Sequence, residues 1–185
     1  MEYLDIVDEN GQPTGRTVSR DTAHAEGIRH RTAHVWIVRG SKECREVLLQ
    51  KRSMEKESFP GLYDTSSAGH IPAGDEPLES ALRELNEELG ISAAPQQLRF
   101  IGKFSIDYER GFHGRPFRDN EVTWVYLYDS PVDISALTLQ ASEVDGADWF
   151  GLETVWNEIQ PGESARFCPP LQGVAVLREY LKTQP

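Results

Sequence analysis

Cysteine is scarce in this sequence. Its two cysteines, Cys44 and Cys168, lie far apart, and neither belongs to a C-x-x-C pair. Disulfide frameworks and thiolate metal sites are built from paired or clustered cysteines, so both classes are disfavoured. We expect two reduced thiols in a cytoplasmic protein, with a single disulfide between them as the alternative.

Long apolar runs and an excess of positive charge are also missing. No stretch approaches the ~20 apolar residues of a membrane span, and the N-terminal "MEYLDIVDENG" lacks the basic-then-apolar order of a signal peptide. With 19 basic and 30 acidic residues the formal net charge is −11, the wrong sign for binding nucleic-acid phosphates. We expect neither a membrane nor a nucleic-acid partner. The acidity suits binding of divalent cations, although solubility alone explains it equally well.

The length of the chain predicts one domain across residues 1–185, with 1–30 as an N-terminal extension of that domain and a C-terminal helix at 170–182. No repeat, low-complexity tract or linker divides the chain. Alternating stretches such as "TAHVWIVRG" and "NEVTWVYLYD" predict strands. Together with two or three helices they predict an α+β protein, an α/β/α sandwich with a mixed sheet.

The clearest helical pattern covers about 77–89, between Pro77 and Gly90, which suit the first turn and the stop of a helix. A short helix is predicted from Asp21, as N-cap, to Gly27. Segment 110–119, "RGFHGRPFRD", reads as a loop between two strands. The helical pattern at 77–89 rests on one stripe of apolar residues: Leu78, Ala81, Leu82, Leu85 and Leu89.

Three glutamates, Glu84, Glu87 and Glu88, fall within an arc of roughly 100° beside that stripe. Like charges at this spacing repel, so a cation should compensate them. Converging carboxylates are the oxygen ligands that Mg²⁺ or Mn²⁺ prefers. The alternative is a solvated acidic helix face, because charge runs usually face solvent.

The surrounding motif bears on this choice. Gly69, five residues, Asp75, seven residues and then "RELNEELGI" closely resemble the signature of the Nudix hydrolases, G-x5-E-x7-R-E-U-x-E-E-x-G-U, where U is aliphatic. Every defined position matches except Asp75, which replaces a glutamate. The resemblance implies an α/β/α sandwich that cleaves a diphosphate linked to another moiety, with Mg²⁺ or Mn²⁺.

Carried onto this chain, the resemblance gives residue roles. Glu84, Glu87, Glu88 and the Gly69 carbonyl are the implied metal ligands, with Glu87 and Glu88 counted as catalytic. Arg83 is expected to hold these carboxylates in place. Asp75 is expected to support the site by reaching Arg83, or else to act as the N-cap of the helix.

A second resemblance comes from "AHAEGIRHRTAHVWI", "SAGHI" and "DNEV". They are similar to the isopentenyl diphosphate isomerases of the Nudix fold, which implies a further metal site for Mn²⁺ or Zn²⁺. That isomerase also needs a cysteine just before the loop glycine, where this chain has Ala68, and its Nudix helix is degraded. Both departures favour the hydrolase. The implied ligands of this second site are His24, His30, His70, Asp119 and Glu121.

The remaining candidates are a base and a set of cations. Glu121 is a candidate ligand or general base, and His34 reads as an ordinary strand residue. The diphosphate is expected to bind basic side chains, although a solvated hairpin end explains most of them equally well. These side chains are Lys51, Arg52, Lys56 and Arg118.

Taken together, the residues predict a metal-dependent Nudix hydrolase that cleaves a nucleotide or a related small metabolite by water attack. The alternatives are an isopentenyl diphosphate isomerase and a catalytically silent Nudix fold that binds a ligand or partner. A monomer or a homodimer is expected.

Overall fold

Strands dominate the structure, a computed structural model that describes residues 1–112, 114–160, 162, 164–168 and 172–184, with the backbone alone at residue 115. Its strands are β1 (Tyr3–Val7), β2 (Pro13–Ser19), β3 (His30–Arg39), β4 (Glu46–Arg52), β5 (Tyr63–Asp64), β6 (Ser67–His70), β7 (Arg99–Phe112), β8 (Arg115–Tyr128) and β9 (Val144–Gly151). Its α-helices are α1 (Arg20–Glu26), α2 (Pro77–Leu89), α3 (Leu152–Ile159) and α4 (Gly173–Lys182).

Strand β3 is the centre of the main sheet. It runs parallel to β8 from the pair His30↔Glu121 to the pair Ile37↔Tyr128. Its other edge is divided between β6 and β4, both antiparallel to it. Strand β7 extends the sheet beyond β8, β5 and β9 pair with β4, and β1 and β2 form a separate hairpin. The long parallel pairing places the starts of β3 and β8 side by side.

Helices cover both faces of this sheet. Successive residues of β3 point to opposite sides, so the strand has apolar side chains on both faces. On one face Ala33, Val35 and Ile37 belong to the apolar cluster that includes α2. On the other face Trp36 and Val38 belong to the cluster that includes α3 and α4. This is the mixed-sheet α+β sandwich that the sequence predicts. No helix among the described residues is long and apolar enough to cross a membrane.

Helix α2 has the bounds that its leucine stripe predicts. Pro77 occupies the first turn, and Gly90 ends the helix in the left-handed conformation with φ of 72°. A side chain there would be strained, which explains the glycine. The buried face includes Leu85, Leu89 and, unusually for a charged residue, Glu88.

Two local predictions are wrong. Helix α1 begins at Arg20 and is capped by Ser19, whose hydroxyl accepts from the Thr22 N–H at 3.3 Å, so Asp21 is not the N-cap. Segment 110–119 is mostly strand, because β7 and β8 pair as far as Phe112 and Arg115. The cross-strand pairing outweighs the glycine and proline content that favoured a loop.

At the C-terminus, the described helix begins at Gly173, and positions 170 and 171, where the predicted helix starts, lie outside the described residues. The single domain over 1–185 stays a prediction.

Candidate active site

Strand β6 places Gly69 directly against Glu84 of α2. Gly69 pairs with Ala33 of the central strand, and a Cβ built on Gly69 would overlap the carboxyl group of Glu84. The absence of a side chain at Gly69 is therefore what admits this carboxylate. The glycine and the helix glutamate of the motif meet as the sequence predicts.

Glu88 is the buried member of the glutamate trio. Its Oε2 accepts hydrogen bonds from the Ala68 N–H at 3.1 Å and from Gln50 Nε2 at 3.3 Å, and only 5% of the residue is exposed. Burial raises the pKa of Glu88 to about 8, and the charge of Glu84 adds to the rise, whereas the hydrogen bond from the Ala68 N–H opposes it. A cation beside Glu88 would stabilise its ionised form.

Arg83 holds the other two glutamates. Its Nη1 lies 2.8 Å from Glu84 Oε1 and 3.1 Å from Glu87 Oε2, and its Nη2 donates to the His70 carbonyl at 3.4 Å. Burial raises the pKa of Glu84, and the Arg83 charge opposes that rise. The predicted contact between Arg83 and the carboxylates is present.

The oxygen donors of Glu84, Glu87, Glu88 and Gly69 are hard ligands of the kind Mg²⁺ prefers. The glycine cradle and the buried Glu88 fit such an ion. The three carboxylates are nevertheless not gathered into one set. In the described residues, two groups of ligand-type side chains have all their ligand atoms within 4.8 Å of one another, and neither contains these glutamates. Instead, the Arg83 guanidinium forms ion pairs with Glu84 and Glu87 and compensates their charge.

The N-cap role predicted for Asp75 is wrong, and its supporting role in the site stays a prediction. The N-cap of α2 is Glu76, without a side-chain capping bond. No hydrogen bond or ion pair joins the side chains of Asp75 and Arg83 in the part of the chain that the structure describes; the carboxylate partners of Arg83 are Glu84 and Glu87. Asp75 is exposed, and its backbone carbonyl, not its carboxylate, is bonded, by Arg31 at 3.1 Å.

A second cluster forms where α1, β3, β6 and β8 meet. His24 Nε2 lies 3.1 Å from His70 Nε2, and His24 Nδ1 lies 3.7 Å from Asp119 Oδ1. His30 Nε2 and His70 Nε2 lie 3.6 Å and 3.8 Å from Glu121 Oε1. The two groups with mutually close ligand atoms are His24, His30 and His70, and His30, Asp119 and Glu121. The structure therefore brings together all five residues predicted for the second site.

Several polar atoms in this cluster are buried without a hydrogen-bond partner: His24 Nδ1, His30 Nε2 and Asp119 Oδ1. Burying a polar atom without a hydrogen-bond partner or a bound ion costs folding free energy. The His30 Nδ1–H donates to the Ile28 carbonyl at 2.8 Å, which in a neutral imidazole leaves the lone pair on Nε2. This arrangement orients a metal-ligating histidine. Three imidazoles and two carboxylates fit Mn²⁺ or Zn²⁺.

Burial sets the protonation of the cluster. It lowers the pKa of His24 to about 4 and the pKa of His70 well below its usual value, and neighbouring imidazoles contribute to both shifts. Burial and then the charge of Glu121 raise the pKa of Asp119. The pKa of Glu121 is lowered, because the neighbouring imidazole of His30 favours the ionised carboxylate and outweighs burial. Near pH 7 His24 and His70 are therefore neutral, the form that binds metals.

Sequence reasoning missed the polar partners around Glu121. Thr32 Oγ1 donates to Glu121 Oε2 at 3.0 Å and lies 2.8 Å from Thr123 Oγ1. The sequence pattern that could have predicted this polar network is the alternation of Asp119, Glu121 and Thr123, three polar residues on one face of a strand.

The predicted cationic side chains are mostly engaged by protein groups. Arg52 pairs with Asp64 at 3.1 Å and also donates to Ser58. Lys56 pairs with Glu143, and Arg118 lies at 2.9 Å from Glu109. Lys51 has no carboxylate within 4.0 Å among the described residues. His34 is half-buried and contacts Phe104 and Thr65, as expected for a strand residue.

Comparison with known proteins decides the family. The family model of the NUDIX domain matches residues 28–169. The chain belongs to the Nudix family. An uncharacterized Nudix hydrolase of Clostridium acetobutylicum is 39% identical over 145 residues, which are 78% of this chain and 68% of that protein. Nudix hydrolase 3 of Arabidopsis thaliana is 37% identical over 166 residues, which are 89% of this chain and 21% of that protein.

Solved structures support the Nudix fold. A Deinococcus radiodurans protein aligns with a TM-score of 0.68 at 21% identity, covering 96% of this chain and 98% of its own. The NUDIX domain of Shewanella oneidensis NrtR, solved with ADP ribose, aligns with a TM-score of 0.59 at 19% identity, covering 82% and 87%. The relatives and the motif together make this Nudix protein a pyrophosphohydrolase.

Proposed function

We propose that this Nudix protein is a cytoplasmic, metal-dependent hydrolase that cleaves a diphosphate linkage in a nucleotide or related small metabolite by water attack. One observation carries the proposal: Gly69 lies directly against Glu84, and the next residue back, Ala68, donates its N–H to the buried Glu88. A binding module would not need crowded carboxylates that repel each other.

The proposed metal ligands are Glu84, Glu87, Glu88 and the Gly69 carbonyl, for Mg²⁺ or Mn²⁺. When bound, such an ion neutralises diphosphate oxygens and makes a bound water a better nucleophile. Arg83 holds Glu84 and Glu87 in position. The half-exposed Glu87 is the member of the trio that reaches solvent, so it is placed to accept and release a proton.

The histidine cluster is proposed as a second metal site, for Mn²⁺ or Zn²⁺. Its unpartnered buried atoms on His24, His30 and Asp119 support this proposal. Glu121 lies at the centre, held by Thr32 and beside His30 and His70. It is proposed as a ligand of that site or as a proton acceptor.

The substrate is proposed to place its diphosphate near the end of β4, where Lys51, Arg52 and Lys56 lie, with Arg118 on β8. Two fold neighbours support a nucleotide or related metabolite. One is the NrtR domain with ADP ribose, and the other is an Ap4A hydrolase of C. elegans, with a TM-score of 0.56 at 22% identity. The proposed assembly is a monomer or a homodimer.

Isopentenyl diphosphate isomerisation is the second candidate. The gathering of His24, His30, His70, Asp119 and Glu121 favours it. The backbone N–H of Ala68 bonds Glu88, but its methyl side chain has no thiol to move a proton to or from carbon. This chain therefore lacks a group that isomerisation requires and that hydrolysis does not.

The test is an activity panel with Mg²⁺ or Mn²⁺: nucleoside diphosphates and triphosphates, nucleotide sugars, dinucleoside polyphosphates and isopentenyl diphosphate. We expect phosphate or nucleoside monophosphate release that is lost in Glu87→Gln and Glu88→Gln. Glu79→Gln, on the exposed face of the same helix, is the matched control. Conversion of isopentenyl diphosphate without phosphate release would establish the isomerase, and inertness across the panel would favour the binding module.

A further inference from the structure

The N-terminal hairpin lies outside the part of the chain that the family model matches, which begins at residue 28. It nevertheless contacts the loop between β6 and α2. The Tyr3 carbonyl accepts from the Ala73 N–H at 2.8 Å, and Leu4 forms an isolated antiparallel bridge with Pro72. Strand β1 thus acts as a backbone partner of the loop that carries the motif.

A buried ion pair reinforces this contact. Asp5 Oδ2 lies 2.7 Å from Arg31 Nη2 and accepts the Gly74 N–H at 3.0 Å. The same Nη2 donates to the Asp75 carbonyl at 3.1 Å. Asp5 and Arg31 are 8% and 6% exposed, so their charges compensate each other with little help from water.

Through these bonds the loop is held at several successive residues. The Arg31 carbonyl accepts from the Ile71 N–H at 3.0 Å, and the bonds to Ala73, Gly74 and Asp75 follow. The loop has Gly69 just before it and Glu84 two turns into the helix after it. The loop therefore connects the strand that holds Gly69 to the helix that carries the glutamates.

We propose that Asp5, acting through Arg31 and the Gly74 amide, is a positioning residue for the metal site of Gly69 and the α2 glutamates. The hairpin that carries Asp5 then helps to position the metal site. This inference rests on the proposed function for the role of the metal. It does not require a particular substrate.

The test is Asp5→Asn, which keeps the shape of the side chain and removes its charge. Circular dichroism confirms that the variant folds. We then expect amide hydrogen exchange in residues 71–76 to accelerate at least tenfold, and the Kd for Mn²⁺, measured by electron paramagnetic resonance, to rise about tenfold. Turnover should fall by a similar factor with KM nearly unchanged.

Glu2→Gln is the matched control. Glu2 precedes the same strand and pairs with Arg20 at 3.2 Å on the surface, so its loss should change neither loop exchange nor Mn²⁺ affinity. If Asp5→Asn does not fold, the double variant Asp5→Asn/Arg31→Gln removes both buried charges together. It should show the same loss of loop protection and of Mn²⁺ affinity.

A folded Asp5→Asn protein with wild-type exchange at 71–76 and wild-type Mn²⁺ affinity would overturn the inference. So would a loss of thermal stability with neither property changed, because Asp5 would then be purely structural. The proposed function fails separately, if the wild-type protein hydrolyses nothing in the panel. The exchange and Mn²⁺ measurements report on Asp5 in either case.

Discussion

Gly69 and Glu84 are in such close contact that any side chain at residue 69 would occupy the space of the glutamate carboxyl group. We predict that Gly69→Ala displaces Glu84 and lowers turnover about 100-fold, since misplacement of a catalytic group by about 1 Å costs that much. Steady-state kinetics with saturating Mg²⁺ measure the effect. Gly111→Ala is the control, because nothing lies within 4 Å of a Cβ at Gly111 and its φ is not in the left-handed range. Equal losses in both variants would contradict the prediction.

The raised pKa of Glu88 predicts how stability depends on pH. Without metal, the folded protein keeps a proton on Glu88 up to about pH 8, whereas the unfolded chain releases it near the ordinary value of 4.5. The free energy of unfolding of the metal-free protein should therefore fall as pH rises from about 5 to 8, by up to about 4 kcal/mol.

Urea denaturation with a chelator, repeated at each pH, checks this prediction. Glu88→Gln carries no titrating group at this position, so its stability should vary less with pH over the same range. Addition of Mg²⁺ should raise the free energy of unfolding of the wild-type protein more at pH 8 than at pH 5, because a bound cation favours the ionised carboxylate. A wild-type profile that rises between pH 5 and 8 without metal would contradict the assignment.

His30 has one nitrogen committed to a carbonyl and the other aimed at Glu121. We predict that His30→Gln weakens the binding of Mn²⁺ or Zn²⁺ at the histidine cluster at least tenfold, because a metal-orienting imidazole is lost. Isothermal titration measures the affinity. His34→Gln, an imidazole on the same strand outside the cluster, is the comparison. Wild-type affinity in His30→Gln would show that the cluster is not a metal site.

Thr32 donates its hydroxyl proton to Glu121 from within the core. Thr32→Val keeps the shape and removes the donor, so we predict a loss of about 1–2 kcal/mol in the free energy of unfolding. Thr32→Ser keeps the hydroxyl and should retain the pH–rate profile of the wild type. Thr32→Val should move the acidic limb of that profile to higher pH, because Glu121 loses a hydrogen bond to its ionised form and its pKa rises. An unshifted limb in Thr32→Val would mean that Glu121 does not titrate in the rate.

Local patterns predicted the helix that carries the glutamates. Leucines at helical spacing, with Pro77 and Gly90 at the ends, determine where α2 begins and ends, and these signals are local. A motif confined to 23 residues, 69–91, implied that Gly69 and Glu84 belong to the same site, and the two residues are in contact. The fold class came from the alternation of strands and helices, which the layers of the sheet confirm.

What sequence reasoning missed depends on contacts between distant segments. Asp75 was expected to use its carboxylate, yet its carbonyl is the bonded group, because Arg31 arrives from another strand. Segment 110–119 has loop composition, yet strand pairing between β7 and β8 decides its conformation. The engagement of Arg52 and Lys56 by Asp64 and Glu143 is likewise a tertiary property.

The parallel pairing of β3 with β8 has a kinetic consequence. The bonded pairs Thr32–Glu121 and Thr32–Thr123 join residues 89 and 91 positions apart. Closing so long a loop is entropically costly and slows folding of non-local sheets. The histidine cluster therefore assembles only after the two strands have docked, so a partly synthesised chain that lacks β8 contains the α2 glutamates but has no complete second site.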